Sequence, residues 1–235
     1  MQHGSRAARH AKTQLRHAHC PRSCQSGLDS IEKDYAAELV RTQALSPEQS
    51  LQSFQLRPGF QIELVASEPN VADPVAMAFD EFGRLFVVEM RGYSEQPDER
   101  LGQIRMLEDK DGDGNYETSM KYATGLSWPT AIACFDGGVI VGCPPDILFF
   151  KDVDGDGVAE KKASWFSGFG RQNVQGMMNS FAWGIDGRLY GTSSSNGGTI
   201  RNRINPQNEV VLRGRDFAIR FGSKTTLAAI SGGGR

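Results

Sequence analysis

The feature that most narrows the fold of this 235-residue chain is a phrase that returns about every fifty residues. Phe79-Asp80-Glu81-Phe82-Gly83-Arg84-Leu85-Phe86-Val87 resembles Trp183-Gly184-Ile185-Asp186-Gly187-Arg188-Leu189-Tyr190. Between them, Phe135-Asp136-Gly137-Gly138-Val139-Ile140-Val141 follows the same plan. Each copy is an apolar run, a tight Asp/Gly turn and a second apolar run, which is the pattern of a β-hairpin. The three aspartates are 56 and 50 positions apart. Repeats of that length, with four short strands each, are the signature of propeller blades. A sandwich also has many short strands, but it does not need one phrase at a fixed interval.

The runs that read as strands are 60–66, 75–80, 84–90, 103–108, 117–123, 130–135, 138–143, 146–151, 161–166, 179–185, 188–192, 199–204 and 208–212. No segment of helical period interrupts them. The 27 glycines, many beside Asp or Asn, supply the turns. The expected architecture is therefore all-β: a partial β-propeller over 57–235, about three blades of consecutive strands. Ahead of it, residues 29–56 read as a helical entry segment. It holds one helix over 29–45 and a second opened by Ser46 as N-cap and Pro47 at the first helical position.

Residues 1–28 read as a disordered basic leader. Residues 1–24 carry five basic side chains and no acid, leaving 21 basic against 28 acidic in the remainder. An acidic body argues against nucleic acid as a partner. The leader lacks the apolar centre of a secretory signal, and no run in the chain is apolar for the length of a membrane span. All four histidines (His3, His10, His17, His19) lie in it, beside Cys20 and Cys24. That grouping reads either as a short metal-binding tract or as an unstructured leader. General-base chemistry by histidine is thus excluded for the folded body. Cys134 and Cys143 sit on two strands joined at Asp136-Gly137, out of register with each other, and read as core residues rather than a disulfide.

The sharpest local motif occurs twice. Asp109-Lys110-Asp111-Gly112-Asp113-Gly114-Asn115-Tyr116-Glu117 is matched by Asp152-Val153-Asp154-Gly155-Asp156-Gly157-Val158-Ala159-Glu160. Carboxylates at positions 1, 3 and 5 converge when the chain coils around a point. Glycine at 6 permits the bend, the carbonyl at 7 turns inward, and 9 adds a ligand. The candidate metal set is Asp109, Asp111, Asp113, Asn115 and Glu117, with Asp152, Asp154, Asp156, Val158 and Glu160, and the ion is calcium. Position 12 is Met120 or Ala163, so the bidentate Glu of an EF-hand is missing. The alternative is a pair of solvated Asp-Gly turns.

In a propeller these turns share one face with the repeated Asp hairpins, and the remaining connections occupy the other. That second face carries 91–102, 125–129, 168–178 and 193–198. Arg91, Tyr93, Arg171, Asn173 and Gln175 are its candidate cofactor-binding residues, since Arg, Asn and Gln around a concave mouth suit a sugar, a polyol or a carboxylated cofactor. Equally, Arg91 and Glu89 pair with each other.

Pro74-Val75-Ala76-Met77-Ala78-Phe79-Asp80, the Val88–Tyr93 stretch, 168–176 and Asn179–Gly184, taken with the two acidic loops, resemble the membrane-bound dehydrogenase family of planctomycete-type bacteria. That family is similar to the soluble quinoprotein glucose and sorbosone dehydrogenases. The resemblance implies a six-bladed propeller and a periplasmic or membrane-associated location. It further implies pyrroloquinoline quinone as cofactor, a sugar or polyol as substrate and a cytochrome c-type electron acceptor. It implies, too, that half the propeller and its activity lie outside this chain. The glucose dehydrogenases carry a catalytic histidine ahead of the strand matching 181–185, where this chain has Gly176 and its neighbours. A calcium-stabilised propeller that binds carbohydrate or protein without chemistry is the rival reading.

Overall fold

The computed structural model describes residues 43–206 and 209–230. The helix expected over 29–45 and the basic leader lie outside the described residues, apart from 43–45. Helix α1 (Pro47–Gln52) begins where the capping pattern places it. The Ser46 hydroxyl accepts from the Gln49 amide at 3.2 Å, and the Ser46 amide donates to the Gln49 side chain at 3.0 Å. This reciprocal box satisfies two amides that no helical carbonyl can reach.

Beyond α1 the described chain is all-β. Its strands are β1 (Pro74–Phe79), β2 (Leu85–Glu89), β3 (Gly102–Glu108), β4 (Thr118–Leu126), β5 (Ala131–Phe135), β6 (Gly138–Cys143) and β7 (Asp146–Lys151). They continue as β8 (Lys161–Phe169), β9 (Asn179–Trp183), β10 (Leu189–Thr192), β11 (Gly198–Asn202), β12 (Glu209–Leu212), β13 (Phe217–Arg220) and β14 (Thr226–Ala229). All pairings are antiparallel and form three sheets. The first has the order β1-β2-β3-β4, the second β5-β6-β7-β8-β11-β12, the third β9-β10-β13-β14.

Two expectations are corrected here. Residues 60–66 form no strand. They begin a strap that reaches the β3–β4 loop through scattered bonds, the Tyr116 amide donating to Val65 and the Ser119 hydroxyl to Asn70. Moreover, the last four runs are not one consecutive unit. The hairpin β11–β12 joins the outer edge of the second sheet, and the third sheet is completed by β13 and β14, past the last run read as a strand. The cause is a close backbone approach. Gly168 (φ +116°) and Gly198 (φ +139°) face each other across β8 and β11, and a Cβ on either would collide with carbonyl groups of the facing strand. Only glycine lets the chain come so near.

The second sheet is apolar on both faces. Val139, Val141, Cys143, Leu148 and Phe150 pack with Phe86, Val88, Ile104 and Met106 of the first sheet. Ile140, Ile147, Phe149 and Phe166 pack with Leu189, Phe217 and Ile219 of the third. Alternation along β6 and β7 thus feeds two cores in turn. The first strands of the sheets, β1, β5 and β9, lie side by side.

Gly168→Ala is expected to destabilise the protein by more than about 3 kcal/mol, because strained φ and the clash with Thr199 add. Gly187→Ala, at φ +72° with open space around it, should cost about 1 kcal/mol. Equal losses in urea denaturation would count against the β8–β11 pairing.

Candidate functional site

The hairpin registers sort the loops. Leu85 pairs with Leu107 and Glu89 with Gln103, so the chain leaves β2 at one end of the first sheet and leaves β3 at the other. Arg91 and the acidic 109–117 loop therefore emerge at opposite ends. In the second sheet, Cys143 opposite Asp146 and Lys151 opposite Lys161 place the 152–160 loop away from the β6–β7 turn.

The two acidic loops have nearly the same internal bonding. Asp109 accepts from Gly112 at 2.7 Å and Gly114 at 2.8 Å, and Asp152 accepts from Gly155 at 2.6 Å and Gly157 at 2.8 Å. Asp113 takes the Asn115 amide and Asp156 the Val158 amide. Glu117 and Glu160 reach back to Lys110 and Val153. Gly112, Gly114, Gly155 and Gly157 all have φ between +79° and +90°, which coils the chain inward. Carboxylate oxygens of Asp152, Asp154, Asp156 and Glu160 come within 4.8 Å of one another, as do those of Asp109, Asp111 and Glu117. Asp113 stands outside the first group. The Gly114 amide, foremost among several donors, holds the Asp109 carboxyl below its ordinary range.

At the opposite end the five candidate cofactor residues do not converge. Arg91 Nε lies 3.3 Å from Glu89, as the pairing alternative has it. Tyr93 is exposed and lines a shallow cavity with Pro74, Met90 and Gly92. Arg171 donates to the Ser127 hydroxyl at 2.7 Å, and its guanidinium carbon sits 5.5 Å from the Trp128 ring centre. Asn173 clasps Asn196: its amide donates to the Asn196 side chain, which donates back to the Asn173 carbonyl. Gln175 lines a different cavity of about 490 Å³, where β1, β5 and β9 begin, with Met90, Thr130, Met177, Asn179 and Ser180.

Sequence reasoning missed the charge network behind Arg91. Glu89 is fully enclosed and receives the Ala72 amide at 2.9 Å and the Gln103 side chain at 2.5 Å. Arg105 Nε lies 3.4 Å from it but aligns with no acceptor. The signal was present: an arginine in the middle of an apolar strand, with the register that sets Arg105 on Glu89's face of the sheet. Cys134 and Cys143 are both free thiols, and Cys134 stands opposite Val139 as the turn count requires. Burial pushes the Cys134 thiol up to about 12.

Fold and site together describe an all-β protein of stacked antiparallel sheets, with paired acidic loops at one end and polar clefts at the other. The chain belongs to DUF7133, a family defined as a domain of unknown function, whose profile matches residues 46–235. No curated protein matches the sequence. Among solved structures, it is similar to a provisionally assigned oxidoreductase (glucose dehydrogenase) from Thermus thermophilus. That likeness has 21% identity and a TM-score of 0.39, over 60% of this chain and 44% of the other. It is also similar to the calcium structure of a family AA12 carbohydrate-active enzyme from Trichoderma reesei. Here the identity is 12% and the TM-score 0.43, over 76% of this chain and 56% of the other. The chain spans about half the length of each. Among the described residues, no helix is long and apolar enough to cross a membrane.

Glu89→Ala is expected to destabilise the fold by about 3 kcal/mol, since it strips the counter-charge from a mostly buried Arg105. Thermal unfolding followed by circular dichroism checks this, and a loss below about 1 kcal/mol would mean that the network is solvated.

Proposed function

We propose that the three sheets are blades of a six-bladed, dehydrogenase-type β-propeller that takes a sugar or polyol at the mouth of its inner strands and holds calcium in its two acidic loops. The observation that carries the proposal is the segregation of chemistry. Acidic loops occupy one end of the sheets, while neutral hydrogen-bonding groups (Thr130, Gln175, Asn179, Ser180) surround the 490 Å³ cavity at the other. A polyol needs such groups on a partly apolar wall, and Met90 and Met177 supply the wall.

The acidic loops fit calcium by donor chemistry. They offer several carboxylate oxygens and a backbone carbonyl at position 7, and no nitrogen or sulfur. Asp152, Asp154, Asp156 and Glu160 would hold one ion, Asp109, Asp111 and Glu117 another, with water completing each shell. Bound calcium supplies positive charge that relieves repulsion among these carboxylates. The expected outcome is a melting temperature that rises with calcium; saturation at a hundredfold over Kd adds about 2.7 kcal/mol. Asp154→Ala should abolish much of the rise. A melting curve indifferent to calcium in both proteins removes the ion from the reading.

The residues fit a carboxylated quinone less well. The lining of the inner-strand cavity includes no cation and no histidine, Arg91 is engaged by Glu89, and Arg171 lies in another cleft. No reaction step is therefore assigned to pyrroloquinoline quinone, nor electron transfer to a cytochrome c-type acceptor. This favours the second reading: a carbohydrate-binding propeller without chemistry of its own. Titration calorimetry with glucose and sorbitol should show binding, and Gln175→Ala, whose side chain has no protein partner among the described residues, should weaken it about fivefold. Absorbance changes on adding pyrroloquinoline quinone to the full chain would restore the dehydrogenase reading. Absence of any polyol binding would end both.

A further inference from the structure

A second cleft lies between the first two sheets, at the end away from the acidic loops, and shares no lining residue with the inner-strand cavity. Its volume of about 430 Å³ is in the range of small-molecule sites. Three cations line it: Arg100, Lys162 and Arg171. Among the described residues none of them is in an ion pair, although Asp98 and Asp146 border the same space.

Three features make this a built site rather than a chance group of charges. Arg171 is held in place by Ser127 and Trp128, using one of its five donors on the Ser127 hydroxyl. Lys162 stands opposite Phe150 on the neighbouring strand, its ammonium 5.6 Å from that ring centre. Ser164, two residues on along β8, borders the cleft, and its enclosed hydroxyl has no hydrogen-bond partner. A buried hydroxyl left unpaired is costly, so it points to a missing partner. The buried Cys143 thiol lines the same cleft; burial raises it, Ser127, Arg171 and Lys162 act in the opposite sense, and Asp146 acts with burial.

We infer that this cleft binds a small hydroxylated monocarboxylate of the sugar-acid type. Charge decides the class. Three cations against two carboxylates leave room for one negative charge, and Asp98 and Asp146 repel a second. The guanidinium of Arg171 and the ammonium of Lys162 receive the carboxylate. The hydroxyls of the ligand donate to Asp98 and Asp146 and reach the Ser127 oxygen, and the Ser164 hydroxyl meets the ligand by a rotamer change that turns it into the cleft. This site stands independently of the polyol mouth.

The test is titration calorimetry of the full chain with D-gluconate, glucose, acetate and inorganic phosphate. Gluconate should bind at least tenfold more tightly than acetate or phosphate. Arg171→Gln and Lys162→Gln should each weaken gluconate at least tenfold and leave glucose binding as it was. Arg220→Gln, exposed on β13, should leave gluconate binding unchanged. Gln175→Ala should likewise spare gluconate binding while weakening glucose. Because Arg171→Gln also removes packing on Trp128, Ser164→Ala provides the second measure. It breaks no protein hydrogen bond, so it should weaken gluconate about threefold without lowering the melting temperature. Phosphate binding as tightly as gluconate would overturn the assignment, as would gluconate binding that survives all three cleft variants. A Ser164→Ala protein with raised stability and unchanged affinity would do so as well, reducing the hydroxyl to a packing defect.

Discussion

Every part of this structure depends on a sheet buried from both sides. All six residues of β6 are buried, and their side chains alternate between two separate cores. Such a strand cannot slip by one position, because both cores would exchange their side chains at once. Its register fixes the height at which the first and third sheets meet the second, and hence which loops share an end. Gly138 and Gly142 sharpen the constraint. A side chain on Gly138 would strike the Phe150 carbonyl, and one on Gly142 would crowd Ala131 and Phe181. Backbone and rings therefore close over positions where even a methyl group would have to displace them.

Much of this was legible in the chain. The strands β1 to β8, the three Asp turns and the internal design of the acidic loops all follow from local chemistry, where glycine, aspartate and period-two alternation act over a few residues. Asp80 shows why: its side chain accepts from the amides of Phe82 and Arg84 and pairs with the Arg84 guanidinium, so the turn is specified within five residues. Asp186 does the same with Arg188 and Tyr190, whose hydroxyl is the largest influence holding that carboxyl low.

What was not legible is long-range. The periodic reading assumed that four successive strands belong together. The hairpin β11–β12 breaks that assumption through Gly197 and Gly198, whose conformations bring β11 against β8 instead of β10. The available signal was the pair Gly197-Gly198 at the start of β11, at the place where the second unit has Pro144-Pro145. The clefts were equally hidden, since residues as distant as Arg100 and Lys162 meet only when two sheets pack. Arg171 and Gln175, four residues apart, consequently serve different cavities.

The two acidic loops match in sequence but differ in what they fasten. The first leans on its own sheet and the strap: Tyr116 donates its hydroxyl to Gly83 and its amide to Val65, and Asn70 donates to the Glu117 carbonyl. The second crosses to a neighbouring sheet. The Asp152 amide donates to the Tyr122 hydroxyl at 3.0 Å, the Ala159 amide donates to the Tyr122 carbonyl at 2.8 Å, and Gly157 lies against Met120 and Met106 of the first sheet. Tyr122 is almost wholly enclosed and packs edge-on against Phe86, so this loop is moored in the core between the sheets. Anything that stiffens residues 152–160 therefore acts on the junction of two sheets, whereas stiffening 109–117 acts within one. The same nine-residue design secures one hairpin in the first case and a sheet–sheet interface in the second, and the difference comes from Tyr122 and Met120 on β4 with Met106 on β3.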